Sequence, residues 1–298
     1  MFWKRTFSTV LLLCVFGAVI FAPSPGNKIV FFLLSIFLTF SLVREICDIF
    51  RNLGMENLKN TTALFCTLIV AIAVFICSDF YLSDFVNLII GLLCYMLLFG
   101  IAIGGPLFIL FSKNSGEKIK MLFNSFAVSI FTLIPLSFIL TIYFYGETNK
   151  NLKINSIFLI FILLTKIGDI GAYVIVTVSN KLMKGGNHKM VPSISPGKSW
   201  EGAAGGLIVT LLLTLGFHFW RPEVIIVQTV SSSIITGIFM FFGSMAGDLM
   251  ESSLKRAAGV KDSGSTIPGI GGVFDLVDSL FVTAPVAVLL AIFMKLYC

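Results

Sequence analysis

Acidic and basic side chains concentrate in one short stretch of an otherwise apolar chain. Residues 248–278 contain four Asp, one Glu, two Lys and one Arg, whereas the whole chain of 298 residues is 57% hydrophobic and 12% charged. Carboxylates in such a stretch can bind a divalent cation, and Lys and Arg can neutralise phosphates. Because long apolar runs flank it, we expect it at a membrane surface or in a polar cavity there. The pattern favours chemistry that joins a lipid phosphate to a nucleotide.

Two helix ends supply the charged residues of this stretch. Asp248 ends one apolar run, and Lys255 and Arg256 follow about two helical turns later. Asp275 and Asp278 are three residues apart and share a helix face at the start of the last apolar run. Carboxylates at a helix N-terminus also complement the helix dipole, but that alone leaves the basic pair and Asp248 unexplained. We therefore expect Asp248, Asp275 and Asp278 to converge on one hard cation, which prefers oxygen ligands.

A second group of polar residues precedes the seventh apolar run. Ser195 and Lys198 lie in a loop with Pro192 and Pro196, and glycines at 202, 205 and 206 open the run itself. A hydroxyl, an ammonium group and the free amides of a helix N-terminus all favour a phosphate. The loop is not a Walker motif, because that motif needs Gly at position 192, where this chain has Pro.

Lys166 and Asp169 lie inside the sixth apolar run. Ionisable residues within a membrane span are costly, and they are usually paired or face a polar cavity. At a spacing of three they share a helix face, so one explanation is a structural ion pair between them. We favour a cavity-lining role, because Gly168, Gly171 and Ala172 leave room for a close neighbour or a ligand.

The apolar runs themselves predict the fold class. A helix of about 20 apolar residues crosses a hydrocarbon core of about 30 Å, and lipid-exposed backbone must be helical. The sequence predicts an all-α, polytopic integral membrane bundle of about nine transmembrane helices. Their expected positions are 8–22, 29–43, 62–78, 85–111, 121–144, 155–178, 203–220, 224–247 and 276–294.

The basic residues orient this bundle. With the N-terminus in the cytoplasm, fifteen of the 21 Lys and Arg fall in cytoplasmic segments, five in outer segments and one, Lys166, within a span. Positive residues are retained inside, so the net charge of +6 is mainly a topology signal and no nucleic-acid partner is expected. The six scattered Cys lack a CxxC pair, so neither disulfides nor a zinc site is predicted. We expect one integrated membrane domain, with scaffold helices in 1–150 and the catalytic part in 151–298.

Three segments of the chain resemble one enzyme family. Residues 252–278, SSLKRAAGVKDSGSTIPGIGGVFDLVD, closely resemble the signature of phosphatidate cytidylyltransferases, also called CDP-diacylglycerol synthases. Residues 169–173 (DIGAY) and 195–202 (SPGKSWEG) resemble two further blocks of that family. The family commonly has His where Ile270 stands and Arg where Leu276 stands, so roles of those two side chains do not transfer.

The resemblance implies an activity, and with it a set of roles. CMP would pass from CTP to phosphatidate, giving CDP-diacylglycerol and pyrophosphate at the cytoplasmic face of the inner membrane. Mg²⁺ is the implied cofactor, with a second, monovalent ion left open. The expected partners are CTP, phosphatidate and membrane lipid, and a homodimer is one expected assembly. The implied catalytic residues are Lys255, Arg256, Asp275 and Asp278. The implied metal ligands are Asp248, Asp275 and Asp278. The implied substrate-binding residues are Ser195, Lys198, Ser252, Lys261 and Asp169.

Three other functions fit parts of the pattern. A CTP-dependent lipid kinase would use similar residues but would release CDP instead of pyrophosphate. A secondary transporter could hold Lys166 and Asp169 at its midplane, but it predicts matching broken helices in two halves, which the N-terminal half lacks. A CDP-alcohol phosphatidyltransferase needs Gly directly after its first Asp, and this chain has Leu249 after Asp248.

Overall fold

The protein is almost entirely helical in the residues that the structure describes. The structure is a computed structural model that describes residues 2–78, 115–148, 156–182 and 187–297. The helices are α1 (Phe2–Phe21), α2 (Gly26–Asn52), α3 (Lys59–Cys77), α4 (Ser115–Thr148), α5 (Ser156–Leu182), α6 (Trp200–Trp220), α7 (Val230–Ala257) and α8 (Phe274–Tyr297). A two-stranded antiparallel sheet, β1 (Lys189–Val191) and β2 (Ser195–Ser199), precedes α6.

Helix length and composition confirm a helical membrane protein. Within the described residues, all helices except α1 are long and apolar enough to span a membrane, which gives seven candidate spans. The first expected span corresponds to α1, whose apolar part, Thr6–Phe21, is shorter. The fourth expected span, 85–111, lies outside the described residues. The count of nine spans and the cytoplasmic N-terminus stay predictions.

Two expectations about local structure were wrong. The eighth span was expected to begin at 224, but a short 3-10 helix (Ile225–Val227) comes first and α7 begins at Val230. A capping box fixes this start, because the amide of Ser232 donates to Thr229 Oγ1 and the amide of Thr229 donates to Ser232 Oγ. The segment before α6, expected as a Pro-stiffened loop, forms the hairpin of β1 and β2.

The chain divides into two compact units. The first unit contains residues 1–134 and 257–275, and the second contains residues 135–256 and 276–298. The boundaries fall inside α4, at the end of α7 and after the first residues of α8. The predicted division at 150/151 and the prediction of one integrated domain stay predictions.

In the first unit, the chain after α7 packs on the N-terminal helices. Ser8 Oγ in α1 donates to the carbonyl of Pro268 at 2.7 Å. The ring of Phe274, which opens α8 and is fully buried, lies edge-on to Phe131 in α4, with ring centroids 6.4 Å apart. Phe131 also contacts Phe50 of α2. The start of α8 is therefore held by apolar packing as well as by the polar contacts described below.

In the second unit, small residues bring helices into backbone contact. A Cβ added to Gly206 of α6 would lie 2.7 Å from the carbonyl oxygen of Gly168 in α5, and one added to Gly171 would lie 2.8 Å from Val209 Cβ. At Gly247 of α7, an added Cβ would lie 2.6 Å from the carbonyl oxygen of Asp278 in α8. Small residues at such positions allow membrane helices to approach closely. These contacts fix the helices that carry Lys166, Asp169, Asp248 and Asp278.

Candidate active site

The ion pair of Lys166 and Asp278 joins α5 to α8 in the second unit. Lys166 Nζ lies 3.2 Å from Asp278 Oδ1 and 2.6 Å from Ser279 Oγ. Asp278 Oδ1 also accepts hydrogen bonds from the amide of Ser279 at 2.6 Å and from its hydroxyl at 3.1 Å. The pairing of Lys166 with Asp169, one alternative from the sequence, is thus not the contact that the ammonium group makes. Its partner comes from a helix 112 residues further along the chain.

A second ion pair joins β2 to α7. Lys198 Nζ lies 3.1 Å from Asp248 Oδ2 and 3.4 Å from the carbonyl oxygen of Met245. Lys198 is positioned by its neighbour Ser199, whose Oγ caps α6 by accepting from the amide of Gly202 at 3.2 Å. Two predicted residues from separate sequence blocks, Lys198 and Asp248, are therefore brought together.

Asp169 completes a cluster of five charged side chains. It lines the same cavity as Lys198, and its carboxyl group interacts with that of Asp248. Asp169 and Asp248 also interact electrostatically with Asp278, Lys166 and Lys198. We name these five residues the acidic cluster: Lys166, Asp169, Lys198, Asp248 and Asp278. With three carboxylates and two ammonium groups, the cluster has a formal excess of one negative charge, so it is suited to a further cation.

A cavity of about 240 Å³ opens beside the acidic cluster. Asp169 and Lys198 line it together with Ser199 and Ser244, and the apolar part of the wall includes Phe241. Ser244 also joins α7 to α5, because its Oγ donates to the carbonyl of Thr165 at 2.8 Å. An anionic and a cationic side chain beside apolar surface can orient a ligand that is polar at one end.

The acidic cluster offers carboxylate ligands for a magnesium ion but does not supply a complete ligand set. Among the residues that the structure describes, no three Asp, Glu, His or Cys side chains are arranged to hold a metal ion by themselves. Mg²⁺ is usually bound by only one or two carboxylates, and substrate phosphates and waters complete its shell. The neighbouring carboxyl groups of Asp169 and Asp248 repel each other when both are ionised, and a cation near them relieves that repulsion. The donor set therefore fits Mg²⁺ bound with a phosphate, and Asp248 and Asp278 remain its predicted ligands.

Asp275 lies in the first unit, where its carboxylate orders the loop before α8. Asp275 Oδ2 accepts from the amide of Gly272 at 2.8 Å and from the amide of Ser263 at 3.2 Å. Gly271 has a φ of +134°, and a Cβ there would lie 2.7 Å from Asp275 Oδ2, so this turn requires glycine. Its predicted roles in catalysis and metal binding stay predictions.

Glu45 of α2 is a functional candidate that the sequence analysis missed. Arg44, Glu45, Asp48 and Arg51 lie where the second expected span meets the cytoplasm, a position that predicts solvation at the membrane interface and pairing at the helix end. Solvation is wrong for Glu45, whose residue surface is only 5% exposed. Its carboxylate accepts from the amides of Val273 and Phe274, both at 2.9 Å. The sequence held one signal, because Glu45 lies between Val43 and Ile46, both core positions; the periodicity of α2 places it on the buried face.

The remaining predicted residues lie outside the acidic cluster. Lys255 pairs with Glu251 one helical turn earlier at 2.7 Å, and both side chains are largely buried. Ser195 begins β2, opposite Val191. Ser252 is half-buried in α7, whereas Arg256 and Lys261 are exposed. The predicted substrate contacts of these residues stay predictions.

Comparison with known proteins assigns the chain to a family. The model of the cytidylyltransferase family matches residues 3–294, which is nearly the whole chain. The chain belongs to the cytidylyltransferase family. The family resemblance carried by residues 169–173, 195–202 and 252–278 is thereby confirmed.

Several members of the family are similar to parts of the chain. A phosphatidate cytidylyltransferase of Haemophilus influenzae is 46% identical over 101 residues, which are 34% of this chain and 35% of that protein. One of Staphylococcus saprophyticus is 36% identical over 168 residues, 56% of this chain and 61% of its own. Phosphatidate cytidylyltransferase 5 of Arabidopsis thaliana, a chloroplast protein, is 50% identical over 99 residues, 32% of this chain and 23% of its own. The alignments with these relatives thus span less than two thirds of their lengths.

Proposed function

We propose that the protein is a membrane-bound phosphatidate cytidylyltransferase that transfers CMP from CTP to phosphatidate. The observation that carries the proposal is the acidic cluster beside the cavity of the second unit, in a member of the cytidylyltransferase family. A phosphate oxygen of phosphatidate attacks the α-phosphorus of CTP, the bond from this phosphorus to the bridging oxygen breaks, and pyrophosphate leaves. The products are CDP-diacylglycerol and pyrophosphate.

The chemistry needs charge control more than proton transfer. The attacking phosphate oxygen is already anionic at neutral pH, so a strong general base is not required. The barrier comes from the approach of two polyanions and from the negative charge that develops on the leaving pyrophosphate. Fixed cations aimed at that charge lower the barrier. Lys198, in the wall of the cavity, would neutralise a phosphate of CTP, and Lys166, which pairs with Asp278, would neutralise another.

Asp248 and Asp278 would hold Mg²⁺, which when bound supplies Lewis-acid neutralisation of the phosphates. Lys198 and Lys166 lie against these two carboxylates. Binding a nucleotide with its cation would give each ammonium group a phosphate partner in exchange. Asp169 keeps the cavity wall acidic and so favours a cation-bound nucleotide over the free polyanion.

The proposal includes a location and an assembly. The seven candidate spans place the protein in a membrane, and the distribution of Lys and Arg favours the inner membrane with the N-terminus and the reaction on the cytoplasmic side. Anionic lipid headgroups at that face suit the basic segments. A homodimer stays a prediction that light scattering on the detergent-solubilised protein tests.

One assay tests the proposed function. Purified protein is incubated with labelled CTP, phosphatidate and Mg²⁺, and lipid and aqueous products are separated. We expect labelled CDP-diacylglycerol and an equal amount of pyrophosphate. Release of CDP with phosphorylated lipid would establish a CTP-dependent lipid kinase instead. Asp248→Asn should form much less product at a fixed, low Mg²⁺ concentration, whereas Asp48→Asn, which removes an exposed carboxylate of α2, should retain wild-type product formation.

A further inference from the structure

Glu45 is a buried carboxylate whose hydrogen-bonding capacity is fully used. Oε1 accepts from Thr266 Oγ1 at 2.5 Å and from the amide of Val273 at 2.9 Å. Oε2 accepts from Ser263 Oγ at 3.1 Å and from the amide of Phe274 at 2.9 Å. A carboxylate has about four lone-pair sites, and each one here has a donor. All four donors come from the segment 263–274, more than 200 residues further along the chain.

The backbone of this segment is shaped around the Glu45 side chain. A Cβ added to Gly264 would lie 2.7 Å from Glu45 Oε1, and one added to Gly272 would lie 2.5 Å from Glu45 Oε2. Both glycines therefore let the chain lie directly on the carboxylate. The amides of Val273 and Phe274 belong to the start of α8, where free N–H groups and the helix dipole favour a negative charge. Glu45 supplies that charge from another helix.

Ser263 connects Glu45 to Asp275. Its hydroxyl donates to Glu45 Oε2, and its amide donates to Asp275 Oδ2 at 3.2 Å. Gly272, which lies against Glu45, donates its amide to Asp275 Oδ2 at 2.8 Å. Ser263 thus hydrogen-bonds both carboxylates, and Gly272 lies directly against Glu45. Displacing the Glu45 carboxylate would free the hydroxyl of Ser263 and the backbone of Gly272, two residues whose amides donate to Asp275.

We infer that Glu45 is a positioning residue: it fixes segment 263–274 and thereby orients the carboxylate of Asp275, which we predict to act in nucleotidyl transfer. The inference rests on the proposed function for its consequence in catalysis. Its structural part, that Glu45 orders the segment, is independent of that function. Because Glu45 acts through the segment, its loss should lower kcat more than it changes the binding of CTP.

The decisive variant is Glu45→Gln, which keeps the side-chain shape. One carboxylate oxygen becomes an NH₂ group, which must face either the amide of Val273 or the amide of Phe274, and two donors cannot hydrogen-bond each other. Misplacement of a reacting geometry by about 1 Å costs about 100-fold in rate, so we expect kcat to fall about 100-fold with KM for CTP changed less than about threefold. Asp48→Asn is the matched control, since Asp48 is on the same helix and pairs with Lys59 at the surface.

Hydrogen–deuterium exchange provides the readout that does not depend on activity. In Glu45→Gln the amides of residues 263–275 should exchange about tenfold faster or more, because an unsatisfied buried donor costs about 1–3 kcal/mol, while peptides from α5 and α6 keep their wild-type rates. Asp48→Asn should leave segment 263–275 unchanged. Unchanged exchange and a wild-type kcat in Glu45→Gln would overturn the inference.

A milder variant covers the case in which Glu45→Gln does not fold. Thr266→Val removes one hydroxyl donor to Glu45 at nearly constant volume. We expect faster exchange in the same segment and a kcat about tenfold lower, a smaller loss than in Glu45→Gln because three of the four donors remain. Wild-type kcat and exchange in a folded Thr266→Val would also overturn the inference.

If the wild-type protein makes no CDP-diacylglycerol, the proposed function fails, and the exchange data still decide whether Glu45 orders the segment.

Discussion

Replacing Lys166 with Met tests whether the ion pair of α5 and α8 stabilises the second unit. Loss of one partner from a fully buried pair costs about 3–5 kcal/mol, and an exposed pair contributes about 0–1 kcal/mol. The pair of Lys166 and Asp278 is intermediate, with side chains 35% and 13% exposed. Asp278 would keep the amide and hydroxyl of Ser279 as donors, so we expect a loss of about 2 kcal/mol in the free energy of unfolding.

The assay is unfolding in mixed micelles by titration with sodium dodecyl sulfate, followed by circular dichroism. The double variant Lys166→Met with Asp278→Asn removes both charges. Its loss in the free energy of unfolding should be smaller than the sum of the two single losses by about 1–2 kcal/mol. Lys59→Met is the control, because its pair with Asp48 is more open, with side chains 20% and 48% exposed. A Lys166→Met protein as stable as the wild type, or strict additivity in the double variant, would refute the reasoning.

Four further predictions address the site and the helix contacts. Asp248→Asn should raise the Mg²⁺ concentration for half-maximal activity, and an unchanged Mg²⁺ titration removes Asp248 from the metal ligands. Lys198→Met should raise KM for CTP about tenfold, the effect of losing one charge-assisted hydrogen bond; steady-state kinetics measure it. Asp275→Ala should abolish CTP-dependent turnover in a protein that still elutes as folded in detergent. Gly205→Val should cost about 1–3 kcal/mol in unfolding by overpacking, because its Cβ would collide with Ile175, whereas Gly216→Ala, with open space around it, should not.

Much of the helical framework could be predicted from the sequence. Long apolar runs with charged ends mark the spans, and the helices α3, α5, α6 and α8 follow them closely, whereas α2 continues nine residues beyond its expected end. The sequence also indicated that Asp248 and Lys198 could lie near one another, because both belong to polar segments between the apolar runs. The family resemblance implied site roles for both Asp169 and Asp278, and the second unit brings both to the same cluster.

What the sequence could not give was the choice of partners. Lys166 had a nearby candidate in Asp169, but α5 also packs on α8, where Thr165 Oγ1 lies 3.0 Å from Thr283 Oγ1, and the ammonium group pairs with Asp278 of α8. Glu45 looked like an interfacial charge because its four donors come from segment 263–274, and no local spacing encodes such a contact. The start of α7 was missed because a reciprocal Thr and Ser cap outweighed the apolar residues before it.

The close packing of α5 against α6 makes one wall of the cavity rigid, while side chains that can change rotamer line the rest. Gly168 and Gly202 line one wall, where a Cβ added to Gly202 would lie 2.7 Å from Val176 Cγ2 and one added to Gly168 would lie 3.2 Å from Phe241 Cδ2, so a larger side chain must displace these neighbours. Met190, Phe241 and Met245 line the rest with flexible or rotatable groups. Variation in ligand preference among natural or engineered versions should therefore accumulate at those three positions, whereas the glycine wall should tolerate almost none.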